Sequence, residues 1–191
     1  MLNEIKYIQA HADLLHSESE VEAALDKMAE QINHLLADRN PLVLCVLNGG
    51  IIPAGKLLTR LTMPLNIDSI NASRYQNQIS GGTVEWVLKP ATPLKDRTVL
   101  LIDDVLDEGI TLAAIQQYCL DQGATSVYSA VLIDKIMAHE KPAHADFVGL
   151  AVPNRYLFGY GMDYKGYLRN AAGIYACNEY DKPTHDESIY D

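Results

Sequence analysis

Asp103, Asp104, Asp107 and Glu108 fall within six positions, directly after the apolar run Val99-Leu100-Leu101-Ile102 and just ahead of Gly109-Ile110-Thr111. Like charges crowded in this way repel unless a cation or strong hydrogen-bond donors accompany them. The apolar run reads as a buried strand that releases the acids at its end, and the chain then turns into a helix. A helix start offers backbone N–H groups without intrahelical acceptors and the positive end of the helix dipole, so an anion can sit there. Gly109 allows the tight turn and Thr111 adds a hydroxyl. Ionised carboxylates only accept hydrogen bonds, so the two upstream acids suit vicinal hydroxyls or a metal-bound group. A ligand with a phosphate at one end and a diol beside it, such as a ribose 5-phosphate, meets all of these requirements.

Elements able to hold such a loop are legible on either side of it. Ser19-Glu20-Val21-Glu22 has the pattern of a capping box, and Val21, Ala24, Leu25, Met28, Ile32, Leu35 and Leu36 then recur at helical spacing up to Asn40-Pro41,. A short apolar strand over 42–47 ends at Asn48-Gly49-Gly50, a helix is expected from about Pro53 to Leu61, and a strand around 65–70 completes one βαβ unit. Polar residues 72–82 lead into a strand at 84–88, which makes a long hairpin. Strand 99–102, helix 111–122 and strand 127–133 form a second βαβ unit, and strands at 147–152 and 174–177 close the chain. The expected fold is α/β: one domain over 1–177 around a mainly parallel, twisted sheet flanked by helices, followed by an acidic tail over 178–191. Ligands of such sheets bind at the carboxyl ends of the strands, where the acidic loop lies.

The 191 residues carry 15 Lys plus Arg against 25 Asp plus Glu, a net charge of −10. That balance argues against a protein that holds nucleic acid by neutralising phosphates. No apolar run approaches the roughly 18 residues of a membrane helix, and the start lacks a basic segment followed by an apolar one. Cys45, Cys119 and Cys177 are far apart, with no zinc-type spacing, and read as buried thiols of a reducing compartment,. The expectation is a soluble cytoplasmic protein with neither nucleic acid nor membrane as partner. The six His residues have no partners in sequence and receive no catalytic role.

Two motifs fail on inspection. Gly50 to Lys56 has the glycine and lysine spacing of a triphosphate-binding loop, but Leu57 replaces the Mg²⁺-binding hydroxyl and Pro53 deletes an N–H. Gly159-Tyr160-Gly161 opens a dinucleotide fingerprint whose third glycine is missing, since position 164 is Tyr,. A signalling receiver domain would need a phospho-acceptor Asp on a strand between Asp103-Asp104 and Lys135, and no strand lies there.

The acidic segment resembles the phosphoribosyl-diphosphate (PRPP) binding motif of type I phosphoribosyltransferases. Further blocks agree in order with the hypoxanthine-guanine branch: Leu47-Asn48-Gly49-Gly50, Ser73-Arg74-Tyr75, Leu132-Ile133-Asp134-Lys135, and Asp146-Phe147-Val148-Gly149 through Gly159-Tyr160-Gly161-Met162-Asp163-Tyr164 to Arg169. The resemblance implies the type I fold with a small hood from the terminal segments and a mobile hairpin lid. It implies transfer of the phosphoribosyl group from PRPP to N9 of hypoxanthine or guanine, with Mg²⁺ as cofactor and pyrophosphate as co-product, in a homodimer or homotetramer. Asp103 and Asp104 would bind the ribose hydroxyls, and Asp107, Glu108, Gly109, Ile110 and Thr111 would surround the 5-phosphate. Asp107 would also serve as acid/base at purine N7. Lys135 would donate to O6, Tyr156 would stack on the base, and Leu157 and Asp163 would meet its far edge. Asp163, with Asp103 and Asp104, would hold the metal, and Asn48, Gly49, Gly50 and Arg169 would take the pyrophosphate. Ser73, Arg74 and Tyr75 would ride on the lid, so that 72–82 is expected to be poorly ordered without ligand.

Two positions depart from the family pattern. Glu108 stands where Thr is common, so its carboxylate must point away from the phosphate. Asn48 stands where many members have Lys, which leaves binding there to backbone N–H groups. The rival within the same fold is a PRPP-sensing regulator that binds nucleic acid; it would want a basic face and usually an extra domain, and Asp107 retains the catalytic acid/base.

Overall fold

The computed structural model describes residues 1–74 and 84–178. In chain order the elements are α1 (Leu2–His11), β1 (Asp13–Ser17), α2 (Glu18–Leu36), β2 (Leu42–Val46), α3 (Ile51–Leu58), β3 (Asn66–Arg74), β4 (Val84–Leu88), β5 (Thr98–Leu106), α4 (Ile110–Asp121), β6 (Ser126–Ile136), β7 (Phe147–Pro153), β8 (Leu157–Phe158) and β9 (Gly173–Ala176). Six strands form the main sheet in the order β4-β3-β2-β5-β6-β7. All neighbours in it are parallel except the β3–β4 hairpin. Parallel strands covered on both faces need apolar side chains in both directions, and β2 is buried at every position,. On one face α2 and α3 pack over Val43, Leu100, Ile102 and Leu132; on the other, α4 covers Leu44, Val99, Leu101 and Val131.

The α2 periodicity is as expected, with Val21, Leu25, Met28, Ile32 and Leu36 essentially inaccessible. Its capping box lies two residues earlier than the Ser19–Glu22 reading. Ser17 Oγ accepts from Glu20 N at 3.4 Å and Ser17 N donates to Glu20 Oε2 at 2.8 Å. Both spacings satisfy the pattern in sequence, but Glu22 is engaged by Lys56, Arg60 and Tyr160 and is not available for a cap. Helix α3 begins at Ile51, ahead of the expected Pro53. Proline is tolerated there because the first-turn N–H groups have no intrahelical acceptor.

The terminal segments build a separate hood. Strands β1, β9 and β8 form an antiparallel sheet in that order, and α1 packs Ile5 and Ile8 against Phe158, Tyr164 and Leu168. Neither α1 nor β1 is legible as an element in the sequence: α1 buries only two side chains and β1 has no alternation of burial. The β3–β4 hairpin is present, with Arg74 opposite Val84. Of the segment 72–82 expected to be poorly ordered, residues 72–74 are instead paired in β3 with residues 84–86 of β4; the rest, with Tyr75, and the tail beyond 178 fall outside the described residues. No helix among the described residues is long and apolar enough to cross a membrane. Cys45, Cys119 and Cys177 are buried thiols.

Because Ser17 holds the cap, Ser17→Ala is expected to cost about 1 kcal/mol, about 2–4 °C in Tm for a chain of this size. Ser19→Ala should stay within about 0.5 kcal/mol. Thermal melts of the two variants check this, and a larger loss at Ser19 would restore the original reading.

Candidate active site

Pairing of β2 with β5 stops at Cys45 opposite Ile102, whereas β5 stays paired with β6 as far as Leu106 opposite Asp134. The acids therefore do not leave the strand as expected: Asp103 and Asp104 lie within β5. Their edge is open only on the side of β2, which departs through Leu47-Asn48-Gly49-Gly50 into α3. The Leu47–Asn48 peptide is cis. A cleft of about 330 Å³ opens at this point. Its walls come from Asn48 and Gly49, from Asp103 through Gly109, from Thr111 and Leu112 of α4, from Asn71 to Ser73, and from Asp163 and Arg169.

The two carboxylates at its base are desolvated. Burial and the adjacent Asp104 push the Asp103 carboxyl well above the ordinary carboxylate range, and burial raises Asp104 as well,. Each keeps one backbone donor: Asp104 N to Asp103 Oδ1 at 2.9 Å, and Val105 N to Asp104 Oδ1 at 2.7 Å. Asp104 fits because Gly49 has no side chain; a Cβ there would overlap the carboxylate, and one on Gly161 would overlap the Gly49 carbonyl. Arg169 Nη1 donates to Gly161 O at 2.7 Å, and its Nη2 meets Asp163 Oδ1 at 2.8 Å. The other Asp163 oxygen accepts from Gly166 N at 2.7 Å.

The turn into α4 is the tight one that Gly109 is expected to allow. Gly109 takes φ 78° and α4 has no side-chain cap, so its first N–H groups are left without a side-chain acceptor,. The Glu108 carboxylate meets His139 Nε2 at 2.9 Å at the rim. That contact gives Glu108 a partner outside the turn, and it involves a histidine for which the sequence suggested no partner. Asp107, half-exposed, accepts from Lys135 Nζ at 3.0 Å.

Of the residues singled out in sequence, Asn48, Gly49, Ser73, Asp103, Asp104, Asp107, Glu108, Gly109, Thr111, Asp163 and Arg169 line one cleft. Lys135 reaches its margin through Asp107. Gly50 is engaged elsewhere: its N–H donates to Val46 O at 2.8 Å, and a Cβ would lie 2.5 Å from Ile102 O. Ile110 opens α4 behind the turn. Tyr156 packs edge-on against Tyr164, with ring centroids 5.8 Å apart, and Leu157 is buried in β8, so both belong to the hood beside the cleft. Arg74 ends β3, and Tyr75 lies outside the described residues.

A supporting network escaped the sequence reading. The Glu22 carboxylate accepts from Lys56 Nζ at 2.7 Å and Tyr160 Oη at 2.6 Å, and also from Arg60. Burial opposes its ionisation, yet these donors hold the carboxyl down to about 2. The network ties the Tyr160-Gly161 turn, which presses on Gly49, to α2 and α3. Only the surplus of acids on one helix flank facing two bases on the next could have signalled it.

Residues 11–165 match the phosphoribosyl transferase domain family. The hypoxanthine-guanine phosphoribosyltransferase of Bacillus subtilis (strain 168) is 30% identical over 158 residues, 82% of this chain and 88% of that protein. The bifunctional protein TilS/HprT of Listeria innocua is 33% identical over 158 residues, but the chain spans only 24% of that protein's length. Among solved structures, a hypoxanthine-guanine phosphoribosyltransferase from Bacillus anthracis superposes with a TM-score of 0.82 at 26% identity, covering 87% of this chain and 98% of that one.

A carboxyl whose native pKa is raised costs stability above that pKa, and the cost vanishes as pH falls toward the unfolded value near 4. Asp103→Asn, which keeps an acceptor for Asp104 N, is therefore expected to raise the Tm of the ligand-free protein at pH 8. The gain should shrink on acidification to pH 5. Melts at the two pH values check it, and a variant less stable than the parent at pH 8 contradicts it.

Proposed function

The chain belongs to the phosphoribosyltransferase family, in its hypoxanthine-guanine branch, and we propose that it transfers the phosphoribosyl group of PRPP to N9 of hypoxanthine or guanine. The observation that carries this reading is the Lys135–Asp107 contact of 3.0 Å, at the mouth of a cleft that ends in a buried diol-type carboxylate pair and an uncapped helix start. A 6-oxopurine presents O6 and N7 along one edge. An ammonium can only donate, so Lys135 matches O6 and opposes the 6-amino group of adenine. Asp107 beside it matches a proton at N7.

The remaining roles are those the family resemblance implies, and the residue types are suited to them. Asp103 and Asp104 accept from the ribose 2- and 3-hydroxyls, while the backbone of 107–111 and the Thr111 hydroxyl hold the 5-phosphate. Asn48, Gly49 and Arg169 face the pyrophosphate, with Gly50 behind them bonded to Val46 O and outside the cleft lining, and Tyr156 and Leu157 bound the base from the hood. In the reaction the C1–pyrophosphate bond breaks and the N9–C1 bond forms; pyrophosphate leaves with the bonding pair, and Asp107 takes the purine proton. Ser73, Arg74 and Tyr75, on the β3–β4 hairpin, would help exclude water from the cationic sugar.

PRPP brings negative charge to a cleft whose one lining cation, among the described residues, is Arg169. This donor set fits Mg²⁺ held by one or two of Asp103, Asp104 and Asp163 at a time, with substrate oxygens and water completing the shell, since Mg²⁺ keeps waters and uses few protein carboxylates. Among the described residues no cluster of three His, Cys, Asp or Glu could hold a metal unaided, so the substrate must contribute. Bound Mg²⁺ would assist departure of the pyrophosphate. A cytoplasmic homodimer or homotetramer accords with the reading.

A spectrophotometric assay with PRPP, Mg²⁺ and each purine in turn tests it: turnover is expected with hypoxanthine and guanine, and none with adenine. Intact PRPP binding without turnover of any 6-oxopurine would instead favour a non-catalytic regulator. Asp107→Asn is expected to lower kcat by about a hundredfold or more while the PRPP Kd changes less than about threefold; equal losses in both would make Asp107 a binding residue.

A further inference from the structure

Lys141 is a buried lysine that the reaction does not use. Its side chain is 6% exposed, and it donates to Leu106 O at 2.8 Å, Asp134 Oδ1 at 2.6 Å and Lys135 O at 2.7 Å. An ammonium has three protons, and all three are spent here. Burying a lysine costs free energy unless it is paired and fully hydrogen-bonded, so the site is built around this cation.

Its acceptors are not a random set. The β5–β6 ladder ends at Leu106 opposite Asp134. Leu106 immediately precedes Asp107, and the Lys135 carbonyl belongs to the residue assigned to O6. Lys141 thus joins the two strands at the point where ladder hydrogen bonds cease, through the backbone next to each of the two side chains that meet the purine edge. Its stem also supports the phosphate turn: a Cβ on Gly109 would lie 3.2 Å from Lys141 Cβ.

We infer that Lys141 is a positioning residue which sets the spacing of Asp107 and Lys135, and hence the fit of the purine O6–N7 edge. The inference rests on the 6-oxopurine reading above. With the ammonium removed, the two strand ends lose their bridge and the Asp107–Lys135 pair loses its fixed separation. Asp103, Asp104 and Arg169 reach the PRPP cleft without it, and the phosphate turn keeps the Lys141 stem against Gly109 when only the ammonium is removed.

Lys141→Met keeps the stem against Gly109 and removes the three donors. It is expected to raise the KM for hypoxanthine and guanine about tenfold, with the PRPP Kd within about threefold of the parent. A purely structural role would lower Tm and the active fraction but leave the purine KM where it was, and that result overturns the proposal. Should Lys141→Met fail to fold, Asp134→Asn decides: it leaves both carbonyl anchors in place and should raise the purine KM about threefold, whereas an unchanged KM overturns the proposal. A parent enzyme that binds PRPP but turns over no 6-oxopurine overturns the functional reading and this inference with it; an active parent with an unshifted Lys141→Met overturns this inference alone.

Discussion

Two carboxylates on consecutive residues of a buried strand are costly to hold, and the site is organised around holding them. Alternation along β5 sends Leu100 and Ile102 to the α2–α3 face and Val99 and Leu101 to the α4 face,. Asp103 and Asp104 continue that alternation and so flank the strand where β2 has already departed. The departure of β2 is what makes the pair useful: were the β2–β5 ladder to continue beyond Cys45 and Ile102, the carboxylates would be buried with no ligand able to reach them. The close approach of Gly49, Gly161 and Asp104 follows from the same constraint, since the Gly49 and Gly161 backbones meet beside the Asp104 side chain where any further side chain would collide.

The hood makes that convergence rigid. Gly161 presses on Gly49 because Tyr160, one residue before it, is tied to Glu22 on α2, and Glu22 in turn is tied to Lys56 on α3, the helix whose N-cap is Gly50. Arg169 closes the loop from the other side by gripping Gly161 and Asp163 together. The Asn48-Gly49 end of the cleft is thus framed by elements far apart in sequence, all joined through one carboxylate and one guanidinium.

Much of this was legible in the sequence. The two βαβ units and the helix after Gly109 follow from periodicity and turn chemistry, and the convergence of the acidic turn with Asn48-Gly49 and Asp163 follows from the resemblance to the phosphoribosyltransferase motifs. What escaped was set by tertiary partners. Ser17 and Ser19 both satisfy a capping box, and only the competing demand on Glu22 decides between them. The full length of β5 was hidden because two acids read as a strand end, whereas pairing with β6 alone carries the strand on to Leu106. Helix α1 buries too little to show a period, and its place depends on a hood sheet that pairs residues 13 and 176.

The charge distribution acquires a physical reading once strands are placed beside one another. Residues 98–134 contain no Lys or Arg, and the first cation after that stretch is Lys135. Lys135 near the end of β6 and His139 beyond it meet Asp107 and Glu108 after β5, whereas Lys141 turns back onto Asp134 of β6 itself and the Leu106 carbonyl. The acids that follow β5 are thus answered by side chains of the neighbouring strand and its loop, and the Glu108 carboxylate has a partner at the rim that leaves the first N–H groups of α4 uncapped. Asp103 and Asp104 receive no cation from β6. Burial pushes both carboxyls up, and the adjacent Asp104 adds to the push on Asp103, with the Arg169 charge opposing it.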